Sequence, residues 1–337
     1  MGYKELQREK QRSLITDTDL FEHAKAGKRF RGEARDFILQ DGQYNLHKSI
    51  RKDVIRYFNN NHIQWWGGET PSGHVLSSQI ACINHLFPIR IEHNLLLKIL
   101  NSASGIEFER LVAIPSWLDK EEDQPHYVAF EAISRTDHMN EVNLSRGANC
   151  TSVDALMIAE NQEGRWLIPI EWKYTELYQN LDKSSEKTAR EITISEGAVS
   201  HMHKAISSGE VRLLRYKDLI DASAQLKVKY PNYQGTIYFQ EPYYQLMRQT
   251  LWSELSLVDY DARKFIHLHI VPSANKELLE RRYKRFVEFD QGMVATWHSL
   301  LVNPNLYICK DAQDIFSVIE EFDPELYEYL RTRYWEE

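Results

Sequence analysis

Apolar residues run almost unbroken through TSVDALMIAE (residues 151–160) and RWLIPIEWKY (165–174), on either side of the polar tetrapeptide NQEG. Runs of this length around a turn predict two strands buried on both faces and joined as a hairpin. HYVAFEAISR (126–135) reads as a third strand ahead of them, and GTIYFQ (235–240) and KFIHLHIVP (264–272) as two more behind. Apolar positions three and four apart predict helices in AKAGKRFRGEARDFILQ (24–40), NLHKSIRKDVIRYFNNN (45–61), 186–207, 211–226 and PYYQLMRQTLWSEL (242–255). The apolar pattern from Val75 to Leu100 suits one long helix, broken or kinked at Pro88. The order helix, three strands, helix, strand, helix, strand predicts an α/β fold with a mixed sheet and helices packed on it. No internal repeat, low-complexity segment or obvious linker interrupts it.

Three charges break the strand pattern: Asp154 in the first strand of the hairpin, Glu171 and Lys173 in the second. A charge in a buried strand costs several kcal/mol unless it is paired or bound to a metal. A four-residue loop at NQEG places Glu160 opposite Arg165 and, counting back, Asp154 opposite Glu171. Directly paired residues bring their Cβ atoms to about 5 Å on one side of the sheet. The strand's period of two puts Lys173 on that side as well.

Two carboxylates so placed repel, and a divalent cation between them relieves the repulsion. Hard carboxylate oxygens select Mg²⁺ or Mn²⁺. A lysine beside such an ion can orient the attacking water while the ion offsets charge developing on a phosphate, the layout of a metal-dependent phosphodiesterase. The competing reading is a structural cross-strand acid–lysine pair. Glu171-Trp172-Lys173 is the one acid-x-Lys triplet in the chain, and it falls at the expected place on a strand.

Composition narrows the class. A hydrophobic share of 42% and a charged share of 27% over 337 residues describe an ordinary globular chain with room for one large or two modest domains. Cys82, Cys150 and Cys309 are odd in number and far apart, which suits neither a disulfide framework nor a zinc knuckle and points to a reducing cytoplasm. The charged start MGYKELQREKQRS precedes no apolar run, and no stretch approaches the roughly 20 apolar residues of a membrane span. Net charge is −8, yet residues 1–60 hold 13 Lys or Arg against 9 Asp or Glu, whereas residues 308–337 hold 3 against 9. The basic run Lys25, Lys28, Arg29, Arg31 and Arg35 is therefore the expected phosphate-contacting surface, with a solvated helix face as the alternative.

Asp154, sixteen intervening residues and Glu171-Trp172-Lys173 on consecutive strands after a long helix resemble the PD-(D/E)xK nuclease superfamily, although Val153 stands where the name has Pro. HVLSSQIACINHLFPIR followed by YVAFEA, GANCTSVDALMIA and IPIEWKYTE resembles a group of predicted restriction endonucleases within it, over roughly residues 45–275. The resemblance implies a restriction-endonuclease-like core at residues 73–275, between a helical, partly basic segment 1–72 and an acidic helical segment 276–337 packed on the core. It implies Asp154 and Glu171 as metal ligands, the main-chain carbonyl of Trp172 as a further ligand, and Lys173 as the catalytic lysine. Members often add an upstream acid, for which Glu131 is the first choice and Glu92, Glu107 and Glu109 are alternatives.

The expected activity is that of a Mg²⁺-dependent DNA endonuclease of the restriction or phage-defence type, in the cytoplasm. A homodimer and a cognate DNA methyltransferase are the implied partners. The different-class alternative is a catalytically idle nucleic-acid-binding module that keeps the fold.

Other polar residues are weaker candidates. Ser77, Ser78, Gln79 and Asn84 interrupt an apolar helix and could line a cleft or approach a phosphate, while Gln245, Arg248 and Gln249 share a helix face that could reach it. His267 and His269 alternate onto one strand face without a third zinc ligand, His201 and His203 diverge on a helix, and Cys82 with His85 lacks any orienting group.

Overall fold

A computed structural model of the chain describes residues 1–30, 32–120, 124–147, 150–178, 182–184, 209–230, 232–283 and 285–335. In chain order the elements are α1 (Tyr3–Asp17), β1 (Arg29–Phe30), β2 (Glu33–Ala34), α2 (Arg51–Asn60), α3 (Ser78–Leu86), α4 (His93–Ser104), β3 (Arg110–Val112), β4 (Ala129–Ala132), β5 (Val153–Asn161) and β6 (Gly164–Trp172). They continue with α5 (Gly209–Ala222), α6 (Tyr243–Ser256), β7 (Lys264–Phe265), β8 (His267–Ile270), α7 (Lys276–Leu279), α8 (Met293–Leu300), β9 (Tyr307–Lys310), α9 (Ala312–Phe316) and α10 (Pro324–Tyr334).

Seven of the strands form one mixed sheet in the order β3-β5-β6-β8-β9, with β4 also paired to β5 and β7 also paired to β6. The unbroken apolar runs are its two central strands, as expected for strands covered on both faces. β5 and β6 pair antiparallel in the expected register, Glu160 with Arg165 and Ala155 with Ile170. The turn is tighter than the sequence suggested: Asn161 pairs with Gly164, which leaves only Gln162 and Glu163 in the turn. Gly164 takes φ +110°, a conformation that glycine adopts without a Cβ penalty. β7, β8 and β9 run parallel to β6, and the ladder with β6 breaks after the Leu167–Phe265 pair and resumes at Ile170–Leu268.

The period of two sends side chains to two hydrophobic clusters. Ala155, Met157, Ile168 and Ile170 join one cluster with α2, α3, α4, α9 and α10, while Leu156, Ile158 and Leu167 join the other with α5, α6 and α8. Full burial of each Leu or Ile contributes about 1.5–3 kcal/mol. The first cluster draws on Leu14 and Leu46 as well as Leu330 and Trp335, so both ends of the chain share it. Buried Arg333 donates to the carbonyl of Asn45 at 2.7 Å, a direct link between the two ends.

Several expectations change. The described residues of 24–40 form the short β1–β2 ribbon and loops in place of a helix, since Gly27 and Gly32 take φ +100° and +86°. Residues 235–239 of GTIYFQ lie within a 3₁₀-helix, Tyr233–Phe239, not a strand, and Gln240 is its C-cap. α1, β3 and β9 are additional elements. Residues 75–100 do break at Pro88, into α3 and α4. Expected helix 186–207, with His201 and His203, lies outside the described residues. Among the described residues, no helix is long and apolar enough to cross a membrane.

Candidate active site

The site is set by register. β4 pairs Phe130 with Ala155 and Ala132 with Val153, so Glu131 lies beside Asp154. The β5–β6 register stops at Ala155 and Ile170, and the next positions along it are Asp154 and Glu171. The Trp172 main-chain N–H donates to Asp154 Oδ2 at 2.7 Å, which ties the two strand ends together. Three carboxyl groups on three neighbouring strands thus form a row across the sheet, with Lys173 two residues beyond the last.

All three acids and Lys173 line one cavity of about 620 Å³. Ser77, Ser78, Gln79, Gln245, Arg248 and Gln249 line it too, so residues from α3, α6 and three strands converge there. Trp172 does not: its side chain points to the opposite face of the sheet, against His85 and Phe316.

Each carboxylate has a distinct set of partners. Glu171 accepts from Lys173 Nζ and from Gln249 Nε2. Glu131 accepts from Gln79 Nε2 at 2.7 Å and from Ser152 Oγ at 3.1 Å. It sits at φ +47°, a left-handed conformation that costs an L-residue about 1–2 kcal/mol. Buried Arg146 helps to hold it there, donating to the Glu131 carbonyl at 3.2 Å while its guanidinium is ion-paired to buried Asp119 at 2.7 Å.

Electrostatics records the crowding. Burial, then repulsion from Glu171 and Glu131, holds the Asp154 carboxyl well above the usual carboxylate range. Burial raises Glu131 as well, and Glu171 adds to this although Gln79 and Ser152 pull the other way. Burial works against the charge of Lys173, but Glu171 and its neighbours outweigh it, and the pKa stands well above that of an ordinary lysine.

These residues fit a hard divalent cation in the chemistry of their donors, carboxylate oxygens gathered by register onto one cavity. As they stand, no group of three or more His, Cys, Asp or Glu side chains among the described residues is drawn into a metal cage. Glu171 is turned onto Lys173 and Gln249, and Glu131 onto Gln79 and Ser152.

The remaining candidates separate cleanly. Ser77 caps α3, accepting from Ile80 N at 3.4 Å, and Tyr178 donates to Gln245 at 2.7 Å. Arg248 is occupied by Glu141 at 3.1 Å and by Thr151 at 2.8 Å. Asn84 is structural, accepting from His47 N at 2.9 Å and donating to Tyr334 at 2.8 Å. Lys25, Lys28 and Arg29 are exposed and Arg35 is half-buried beside Glu33, all around the β1–β2 ribbon; Arg31 lies outside the described residues.

Glu92, Glu107 and Glu109 do not line the cavity. Burial raises the Cys82 thiol well above its usual value, and His85 is held between Ala81 and Trp335, so no nucleophile–base pair exists there. His267 and His269 do share a face, with ring centroids 6.2 Å apart. Sequence reasoning missed Ser152 and Arg146, whose contacts with Glu131 join residues 15 or more positions apart. It also missed Phe30, Trp66 and His74 at the cavity.

No curated protein and no solved structure matches the chain. The sequence profile of a family described as "Restriction Endonuclease associating with ARP" matches residues 10–335, nearly the whole length, and the chain belongs to that family.

Proposed function

We infer that the protein is a metal-dependent nuclease that hydrolyses phosphodiester bonds in DNA. The observation that carries this reading is the row of Glu131, Asp154 and Glu171 on three neighbouring strands, lining one cavity with Lys173 ion-paired to the last of them. Membership of a restriction endonuclease family supports it independently, and so does the PD-(D/E)xK-like spacing of the acids and lysine.

Asp154, Glu171 and the Trp172 main-chain carbonyl would hold Mg²⁺ or Mn²⁺, with Glu131 as the additional acid. When bound, the ion supplies positive charge against the negative charge that develops on the phosphate. Lys173 stays protonated in its acidic surroundings and has no lone pair to give a metal, so it acts on the phosphate or the attacking water as a hydrogen-bond donor. Gln249 and Gln79 orient the outer carboxylates without neutralising them. Arg248 acts through Thr151 and Glu141 as a positioning residue. The exposed Lys25, Lys28 and Arg29 contact phosphates regardless of sequence.

The family description supports a restriction role; phage defence, a homodimer to cut both strands and a methyltransferase to protect host DNA are what the PD-(D/E)xK resemblance implies, and a cytoplasmic location is what the three scattered cysteines suggest. The alternative, an inactive nucleic-acid-binding module, is disfavoured by the intact set Asp154, Glu171 and Lys173. Incubating the full chain with labelled single-stranded and duplex DNA in Mg²⁺, Mn²⁺ or EDTA tests the reading. Cleavage that needs the metal is expected; binding with no cleavage in either metal leaves the inactive module.

A further inference from the structure

The cavity holding the three carboxyl groups is small. At about 620 Å³ it has the size of a small-molecule site, and Glu131, Glu171 and Lys173 within it are only 8%, 2% and 5% exposed. A recess of that size takes a nucleotide or two; the body of a duplex, whose major groove alone is about 12 Å wide, does not enter it. A phosphodiester reaches these groups most readily when its nucleotide is unpaired.

The lining of the same cavity includes aromatic groups that are partly open to solvent. Trp66 is 55% exposed and Phe30 is 40% exposed. Both line the cavity, as does His74. The His74 ring lies edge-on to each, with centroids 6.1 Å from Trp66 and 6.2 Å from Phe30. His74 is held neutral as well, its pKa lowered to about 4 by burial and by Lys4 and Arg8. Lys4 lines the cavity too, and Lys28 and Arg29 are exposed next to Phe30, so cations for a strand's phosphates stand beside ring faces for its bases.

Trp66 is also fixed relative to the acids. Its main-chain N–H donates to Gln79 Oε1 at 2.9 Å, and Gln79 Nε2 donates to Glu131 Oε1 at 2.7 Å. Two hydrogen bonds therefore link the exposed indole's backbone to the row of carboxylates. Aromatic faces beside cations are the means by which proteins grip unpaired strands, since every base has a face to stack.

Resting on the nuclease reading of this cavity, we propose that Trp66 and Phe30 stack on unpaired nucleobases, and that the substrate is a nucleic acid presenting single-stranded or extruded nucleotides. Binding of labelled oligonucleotides of one sequence, single-stranded and fully paired, to the full chain in EDTA separates recognition from cleavage. The wild-type chain is expected to bind the single strand about tenfold or more tightly than the duplex. Trp66→Ala, which keeps the main-chain N–H that binds Gln79, is expected to remove about tenfold of the single-strand affinity, the effect of one lost base–aromatic stack. Trp66→Phe should retain most of it. Phe30→Ala provides a second measurement on a separate element, and circular dichroism shows that each variant is folded.

Equal affinity for the two oligonucleotides, or single-strand affinity unchanged in both alanine variants, overturns the proposal. A chain that cuts no DNA yet shows the Trp66-dependent preference refutes the nuclease reading while stacking stands. A chain that cuts duplex without that preference does the opposite.

Discussion

Gln79 donates to Glu131 at 2.7 Å from α3, and on the same cavity Gln249 donates to Glu171 from α6. Between the two braced acids, Asp154 receives the Trp172 main-chain N–H at 2.7 Å. Amide donors satisfy carboxylate lone pairs without adding a countercharge, so they orient the outer acids of the row without relieving the crowding of its carboxyl groups. Among the described residues, Glu171 alone of the three acids also has a cation, Lys173, within ion-pair distance.

Gln249→Leu removes one brace while keeping the helix. The lost hydrogen bond to a charged group is expected to cost about 1.5–3 kcal/mol in stability, and cleavage is expected to fall by about tenfold as Glu171 loses its orientation. Thermal melting and cleavage rate per folded molecule, measured on the same preparation, check the two effects. An unchanged rate per folded molecule would make Gln249 a packing residue only.

Lys173→Ala removes the cation paired to Glu171. In EDTA the variant is expected to lose about 3–5 kcal/mol, because a buried carboxylate is left uncompensated. Added Mg²⁺ should then raise its melting temperature more than that of the wild type, since the ion replaces the missing charge. Cleavage should still fall by about a hundredfold. A Mg²⁺ response no larger than wild type would show that Lys173 and the ion do not compensate the same acids.

The strands at the centre of the sheet were readable because their apolar runs are continuous, and the hairpin register because Glu160 and Arg165 flank the turn. That register brought Asp154 and Glu171 together in advance. α1 was hidden for a physical reason. Its buried positions include Gln7 and Gln11, which are buried by hydrogen bonds to Tyr174 and Arg333 and look like surface in a hydrophobic pattern. β3 and β9 are three and four residues long, too short for any period to show. GTIYFQ has an alternation that a strand and a short helix share.

At the site, residue types pointed to the cavity but not to partners. Gln79 and Gln249 read as possible DNA contacts, whereas they are tied to acids 52 and 78 positions away. Such long-range pairs leave no local pattern.

His85 sets an acid limit on stability. Trp335 Nε1 donates to its Nε2 at 3.0 Å and its Nδ1 faces the Ala81 carbonyl at 2.7 Å, so only the neutral ring satisfies both. Burial lowers its pKa from 6.5 to about 3. Between those values the unfolded chain binds a proton that the folded chain does not, so stability falls as pH drops below about 6.5 and is unaffected above it. At two pH units below 6.5 the loss from this residue is about 2–3 kcal/mol. Melting from pH 7.5 to 4.5 should show a shallower decline in His85→Gln, which keeps an acceptor for Trp335. Parallel curves would remove His85 from the acid response.

Asp154→Asn relieves repulsion without removing the Trp172 hydrogen bond, since an amide oxygen can still accept it. With the Asp154 pKa raised by burial and by Glu171, ionising this acid costs stability as pH rises through that raised value. The variant should therefore melt at or above the wild-type temperature in EDTA at neutral pH. It should also lose the Mg²⁺-dependent rise. Calorimetry in EDTA and in Mg²⁺ reads both, and a variant that melts lower in EDTA yet keeps the full Mg²⁺ response would place the ion elsewhere.

The cleavage rate of labelled DNA by wild type and by Asp154→Asn in Mg²⁺, each normalised to folded protein, tests the central claim most directly. A row of carboxylates that holds the catalytic ion predicts metal-dependent cleavage by the wild type and a loss of at least about a hundredfold in the variant. Cleavage by Asp154→Asn at the wild-type rate would contradict it.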